Sequence, residues 1–388
     1  MNVTVVLDHK FLRDSAGNYF AGTMFGNTFW NRYLRVFDNV FVISRAKSVN
    51  DVAKLQPIDN PQVHFQPVPY YEGPTGFAQN FLKIRKHLET SLAQDGAVIL
   101  RVPQILPTLA SSILNKFDKP YGVEVVGDPW DVYSPGAESH PLRPVFRRYF
   151  SSRLRTICRK AVASCYVTES SLQKRYPPRL GTYSTHASSV ELTELVSSPR
   201  TPESFSTKEP RLLFVGALNR LYKGQDVLLR AVSVLKGKGV AIQLTMVGDG
   251  QYRDFLEKLA ESLGIGGQVK FLGQIPSGGP VFSLMDRSDL YVLPSRQEGL
   301  ARSVLEALSR GLPAIASHVG GMPEVLPECC LVESGDKLDL ADRIEQLTSD
   351  PSKLADLSRK GLETAIDFLA DNIEPRRDAF FVALKQLT

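Results

Sequence analysis

At 388 residues the chain exceeds the roughly 250–300 residues at which one hydrophobic core stops growing, so two domains are expected. Hydrophobic residues at 43% and charged residues at 22% exclude collagenous, low-complexity and disordered chains and predict a packed, soluble protein. The net charge of +5 is local: RPVFRRYFSSRLRTICRK at 143–160 carries seven basic residues and no acidic one, which leaves 5 − 7 = −2 elsewhere and sets nucleic-acid binding aside.

The opening MNVTVVLDHKF has an apolar run too short for a signal peptide, and no run approaches the ~20 residues of a membrane-spanning helix. A cytoplasmic location is the expectation. Cys158, Cys165, Cys329 and Cys330 form no Cys-x-x-Cys pair and are expected to be reduced and mostly buried.

In chain order, short β-branched runs alternate with helix-length segments: NVTVVL (2–7), VFVISR (40–45), VHFQPV (63–68), AVILRV (97–102), YGVEVV (121–126) and SCYVT (164–168). Continuous apolar strands between helices predict a parallel sheet covered on both faces. In the basic stretch at 143–160, Val145, Phe146, Tyr149, Phe150, Leu154 and Ile157 recur at helical spacing. Two readings stand: a core-facing stripe with solvated arginines, or a basic amphipathic helix in peripheral contact with an anionic membrane at the inner face.

Residues 197–210, SSPRTPESFSTKEP, have linker composition. The alternation restarts with RLLFVG (211–216), a helix from about Gln225, AIQLTMV (241–247), a helix from about Tyr252, VKFLG (269–273), LYVLP (290–294), a helix near 302–310, PAIAS (313–317) and CCLV (329–332). The tail from 351 reads as two helices broken at Pro375. The expected division is a first Rossmann-like domain over 1–198, a linker over 199–210 and a second Rossmann-like domain over 211–365. The terminal helix, about 366–388, is expected to pack back on the first domain.

The most informative segment is PSRQEGLARSVLEALSRGLPAIAS at 294–317. Glu298 falls where a parallel strand ends, which is where open α/β sheets bind ligands. The amides of 299–303 open the next helix and suit a phosphate. Glu306 points away from the stripe of Val304, Leu305 and Leu308, so it is either a ligand-binding carboxylate or a solvated one.

Glu298, seven residues, then Glu306, followed by Ala-Leu-x-x-Gly-Leu-Pro, resembles the Glu-x7-Glu signature of family-4 retaining glycosyltransferases. The flanks LTMVGDGQYRDFLEKLAESLG, VKFLGQI, SDLYVLPS and SHVGGMPEVL agree in order and spacing. The resemblance implies an α/β chain of GT-B type, two doubly wound Rossmann-like domains facing a cleft. It implies a retaining transfer of a hexose-type sugar from a nucleotide-diphosphate sugar to a hydroxyl acceptor, a sugar or lipid-linked glycan, in polysaccharide or glycoconjugate synthesis. Glu298 would lie at the donor sugar and Glu306 at the ribose, with Gly299, Leu300, Ala301 and Ser303 lining the donor.

In FVGALNRLYKGQD (214–226) the resemblance places Gly216, Lys223 and Arg220 against the diphosphate. Ala217 or Leu218 stands where the family has its arginine, and Arg220 is the replacement in reach or else a solvated loop cation. In the first half, Gly17 within DHKFLRDSAGNYF matches a family loop near the diphosphate, or makes a plain turn. Asp128 or Asp131, in Gly-Asp-Pro-Trp-Asp, stands for the family's acceptor-side histidine, or makes an ordinary Asp-Pro turn. No Asp-x-Asp pair and no metal-ligand spacing occurs, so no metal and no cofactor beyond the nucleotide sugar is expected. The alternative is an epimerase or a non-catalytic sugar-nucleotide-binding protein of the same fold.

Overall fold

A computed structural model describes residues 1–388 apart from 23–24, 53–54, 135–140, 191 and 207. It divides into two units, one of Met1–Gly127, Phe150–Ala187 and Glu374–Thr388, the other of Asp128–Tyr149 and Ser188–Ile373.

The first unit is built on β1 (Val3–Arg13), β2 (Tyr19–Ala21), β3 (Val40–Ser48), β4 (Gln56–Ile58), β5 (Val63–Phe65), β6 (Ala97–Val102), β7 (Gly122–Val125), β8 (Ala163–Tyr166) and β9 (Tyr183–His186). The parallel strands run β5-β3-β1-β6-β7-β8-β9. β2 and β4 pair antiparallel beyond the end of β1. All six residues of β6 are buried, as a strand covered on both faces requires. The chain winds outward from β1 through β3 to β5, then returns to β6 on the other side, so direction reverses between β1 and β6.

The segment 8–20, read as a loop, is mostly strand. β1 shifts register against β3 between Val6 and Lys10 and continues to Arg13 before a hairpin turn. The helix Ala370–Leu387 joins this unit from Glu374 onward. Phe380 and Leu384 lie so close to Gly122 that a Cβ there would meet both side chains, and Phe381 packs on Tyr33 at 4.9 Å between ring centroids.

The second unit has β10 (Arg211–Val215), β11 (Gln243–Val247), β12 (Val269–Phe271), β13 (Leu290–Leu293), β14 (Ala314–Ser317) and β15 (Leu331–Val332), all parallel, in the order β12-β11-β10-β13-β14-β15. Its winding reverses between β10 and β13. Leu213, Phe214, Val292, Leu293, Leu305 and Ile315 are fully buried in its core.

Three expectations are corrected. The division falls after Ala187, and Asp128–Tyr149 groups with the second unit. The stretch read as a linker over 199–210 is packed on the second unit: Phe205 is buried in the second core, and the Arg200 guanidinium donates to the carbonyls of Ser288, Met285 and Arg310. The tail breaks at 367–369 and not at Pro375, which lies inside its helix. Leu192 pairs there with the chain, its N–H donating to Phe368 O and its carbonyl accepting from Ala370 N. That pairing ends one helix, whereas a proline in the second turn removes a single donor.

All four cysteines are unpaired thiols, with Cys158, Cys165 and Cys330 buried. Among the described residues no helix is long and apolar enough to cross a membrane.

Candidate active site

Two loops meet where the winding of the second sheet reverses. Open α/β sheets form a crevice at that point, outside the carboxyl ends of the two diverging strands. After β10 the chain makes a short 3-10 turn, Leu221–Lys223, and enters the helix Gln225–Gly237. After β13 it passes through Ser295–Ala301 into the helix Arg302–Ser309.

Lys223 comes from the first loop and Glu298 from the second. Lys223 Nζ donates to Glu298 Oε1 at 2.8 Å, the two side chains being 16% and 11% exposed. Ser295 Oγ donates to the same Oε1 at 2.8 Å. Among the described residues nothing donates to Oε2, which leaves one carboxylate oxygen for a ligand hydroxyl. Burial works against the Lys223 ammonium, but Glu298 outweighs it and holds the lysine above its ordinary pKa.

The loops are clamped together. Arg296 donates both guanidinium nitrogens to Asp226, at 2.8 and 2.9 Å, and a further bond to Leu221 O, while its own amide donates to Tyr222 O at 2.7 Å. Gly224 sits in the left-handed region at φ 73°, and a Cβ there would run into Pro294 O, so only glycine allows this approach. Gln225 Nε2 donates to Ala217 O and Arg220 O, fixing the path between β10 and the turn. A Cβ on Gly216 would crowd the Phe214 ring at 3.1 Å and Lys223 Cδ at 3.5 Å.

Behind the pair lies Tyr291, buried, its hydroxyl 3.2 Å from Val215 O and beside Ser303. Burial raises its pKa, so it stays neutral at pH 7, and Glu306 and Glu298 both act on it in that direction. One phenol therefore lies within the field of both carboxylates. Glu306 is half-buried, and burial pushes its pKa above the ordinary value against the opposing charge of Arg302. The amide N–H groups of 299–303 donate to no protein acceptor among the described residues. Such a helix start favours an anion.

The remaining candidates fall into two sets. Gly299, Leu300 and Ala301 form the turn as read, but Ala301 is buried and Leu300 packs on the core, so they offer backbone and not side chains. Gly299 O accepts from Gly321 N at 2.6 Å, which ties the turn to the loop after β14. Arg220 is exposed at the start of the 3-10 turn. Asp128 is buried and caps the short helix Pro129–Val132 by accepting from Trp130 N at 2.7 Å, while Asp131 accepts from Gly320 N at 3.2 Å. Gly17 belongs to the first unit, in the hairpin turn after β1, where its φ of 93° and the Asp14–Asn18 bonds account for the glycine. Among the described residues no three His, Cys, Asp or Glu side chains come together as a metal site would need.

The sequence reading left Arg296, Asp226, Ser295 and Tyr291 unassigned. A signal existed: opposite charges stand two residues before Glu298 and three after Lys223, and nothing in either segment alone pairs them.

Residues 199–364 match the family described as Glycosyl transferases group 1. The fold and that match together support a glycosyltransferase of group 1 with the GT-B fold. Protein CapJ of Staphylococcus aureus is 28% identical over 87% of this chain and 84% of its own length. A GDP-mannose-dependent monoacylated alpha-(1-6)-phosphatidylinositol monomannoside mannosyltransferase of Corynebacterium glutamicum is 33% identical over 42% of this chain and 47% of its own. Among solved structures, sucrose-phosphate synthase from Thermosynechococcus elongatus superposes over 100% of both chains, with a TM-score of 0.71 and 18% identity. HepE from Anabaena, in complex with UDP-glucose, superposes over 99% of this chain and 100% of its own, at 0.64 and 16%.

Proposed function

We propose that the chain is a retaining glycosyltransferase that moves a hexose-type sugar from a nucleotide-diphosphate sugar to a hydroxyl acceptor in polysaccharide or glycoconjugate synthesis. The observation that carries this reading is the Lys223–Glu298 pair at the reversal of the second sheet, with Glu298 Oε2 left open. A cation and a carboxylate brought to one point suit a substrate with an anionic diphosphate next to a polyhydroxylated ring. UDP-glucose in HepE and GDP-mannose in the mannosyltransferase name support this donor class while differing in nucleotide.

In the proposed reaction the bond between the anomeric carbon and the diphosphate oxygen breaks, the acceptor oxygen bonds to that carbon on the face the diphosphate leaves, and the acceptor's proton passes to the departing diphosphate. Negative charge collects on the leaving phosphate, where Lys223, Arg220 and the amides of 299–303 receive it. Fixed charges aimed at developing charge lower the barrier because they act more on the transition state than on the ground state. Glu298 Oε2 accepts a sugar hydroxyl and faces the positive charge growing at the anomeric carbon, and Glu306 accepts the ribose hydroxyls. Asp128 or Asp131 serves the acceptor side. Cations and amides do for the phosphates what a divalent ion does in metal-dependent transferases.

The test is transfer from UDP- and GDP-hexoses by wild type and Glu298→Gln, with product anomers read by NMR. Wild type should give products of retained configuration in the presence of EDTA, and Glu298→Gln should lose at least about 100-fold in kcat, ~2.7 kcal/mol, while still binding the nucleotide diphosphate. Inverted product, loss of activity to EDTA restored by magnesium or manganese, or a variant keeping a tenth of the rate would each refute the corresponding part.

A further inference from the structure

Two departures from regular backbone in the first unit converge on one imidazole. Between the pairs Val6–Ile43 and Lys10–Arg45, the three residues Leu7, Asp8 and His9 of β1 stand opposite the single residue Ser44 of β3. The buried Ser44 hydroxyl closes this bulge, accepting from the His9 amide at 3.1 Å and donating to the His9 carbonyl at 2.6 Å. A bulge bends its strand and re-aims a side chain. This one begins where β1 parts from β6, whose last pair is Val6–Leu100, and open α/β sheets bind ligands at such a reversal. The second departure is Phe25, held in the left-handed region at φ 66°, a conformation bulky side chains rarely adopt. Its carbonyl accepts from Trp30 Nε1 at 2.9 Å, and its ring lies 4.6 Å from that of His9. Phe11 meets the same imidazole edge-on at 4.7 Å.

The ring so held is half-buried, and among the described residues nothing hydrogen-bonds to either of its nitrogens. Packing alone would be served by a phenyl ring. Burial, with Arg45 and Lys10, pushes its pKa down to about 4, so at pH 7 it is neutral, with one nitrogen to donate and one to accept. The nearby cations are matched, Arg45 by Asp8 and Lys10 by Glu72. A phosphate would favour an imidazolium and unpaired cations. A hydroxyl, itself both donor and acceptor, suits the neutral ring.

We propose that His9 is an acceptor-binding residue, which holds a hydroxyl of a saccharide acceptor by hydrogen bond to its imidazole. The assignment rests on the transferase reading, in which the second unit already serves the diphosphate, ribose and donor sugar. The proton of the attacking hydroxyl leaves with the diphosphate, so His9 orients the acceptor and removes no proton.

The experiment is NMR of the imidazole nitrogens in the full chain with isotope-labelled histidine, the His9 signals being those lost in His9→Phe. The probes are the methyl α-glycosides of glucose, galactose, mannose and N-acetylglucosamine, with pyrophosphate as the anionic control. At least one glycoside should shift the His9 nitrogens saturably, and pyrophosphate should not. His9→Phe keeps a flat ring against Phe11 and Phe25 without hydrogen-bonding atoms. It should weaken that glycoside about tenfold, ~1.4 kcal/mol, with the affinity for UDP- and GDP-hexoses unchanged, and His9→Gln should recover part of the loss. The wild-type titration keeps the test decisive should a variant misfold. No shift from any glycoside, a shift from pyrophosphate, which would mark an anion site, or equal glycoside affinity in a folded His9→Phe would each overturn the assignment. A glycoside bound at His9 by a chain that binds neither UDP- nor GDP-hexose would instead refute the transferase reading and leave a saccharide site standing.

Discussion

Each unit has a largely buried acid–base pair, Asp8–Arg45 between β1 and β3 in the first and Lys223–Glu298 at the β10–β13 reversal in the second, and the two are used differently. In the first unit Asp8 Oδ1 meets Arg45 Nε at 2.6 Å and Asp8 Oδ2 accepts from Tyr71 OH at 2.8 Å, with Gln104 Oε1 closing on the Asp8 amide at 2.6 Å. Asp8 is 10% and Arg45 19% exposed, close to the 11% and 16% of Glu298 and Lys223. Burial therefore does not separate them. The surroundings of the oxygens do: Asp8 has Arg45 Nε beside Oδ1, without an aligned hydrogen bond, and Tyr71 OH on Oδ2, whereas both donors to Glu298 converge on Oε1. His9, beside the first pair, is pushed down to about pKa 4 by burial and by Arg45 and Lys10, so it is neutral at pH 7 and adds no charge. An ion pair with a protein group against each carboxylate oxygen ties β1 to β3. One with an unused oxygen can receive a ligand.

Lys223→Ala should show the difference most strongly, lowering kcat/KM by about 3 kcal/mol, over 100-fold, through loss of a cation at the diphosphate. Its melting temperature should move little, because Ser295 still holds Glu298. Asp8→Asn should do the reverse, costing about 2 kcal/mol of stability and about 5 °C in Tm as the pairing with Arg45 is lost, with nucleotide affinity unchanged. If Asp8→Asn instead abolished transfer at an unchanged Tm, the contrast between a structural and a functional pair would collapse.

A smaller effect tests the clamp that sets the second pair. Arg296→Gln and Asp226→Asn should each cost about tenfold in kcat/KM, ~1.4 kcal/mol, and the double variant little more, since both remove one bidentate contact. Additive losses in the double variant would mean that the two residues act separately.

The smallest effect concerns Glu306. Burial raises its pKa, so the folded chain binds this proton more tightly than the unfolded one does. Ionised Glu306 then costs stability above its folded pKa, and the cost vanishes below the ordinary carboxylate value of about 4.3. Glu306→Gln should raise Tm by about 1–2 °C at pH 7 with little gain at pH 4, while weakening donor affinity. A lowered Tm at pH 7 would show that Glu306 is structurally paired in the protein.

The local signals of the buried strands were legible in the sequence, whereas the extension of β1 to Arg13 and the short strands β2, β4 and β9 were not. Buried parallel strands are continuous apolar runs, and β6, β10, β13 and β14 stand where AVILRV, RLLFVG, LYVLP and PAIAS placed them. The turn at Glu298 and the lysine before Gly224 were visible because strand ends, glycine turns and helix starts are encoded within a few residues. What the tertiary structure decided is everything that depends on strand order. Lys223 and Glu298 are 75 residues apart, and Arg296 and Asp226 are 70 apart. They meet because β10 and β13 are neighbours, a pairing no local pattern specifies. The same cause governs what the sequence left open or misplaced: which residues of 143–160 enter the core, how the linker stretch 199–210 packs, and where the terminal helices break were set by neighbours distant in sequence. Periodicity tells how a segment can fold, and only the packed partner tells which of its faces is covered.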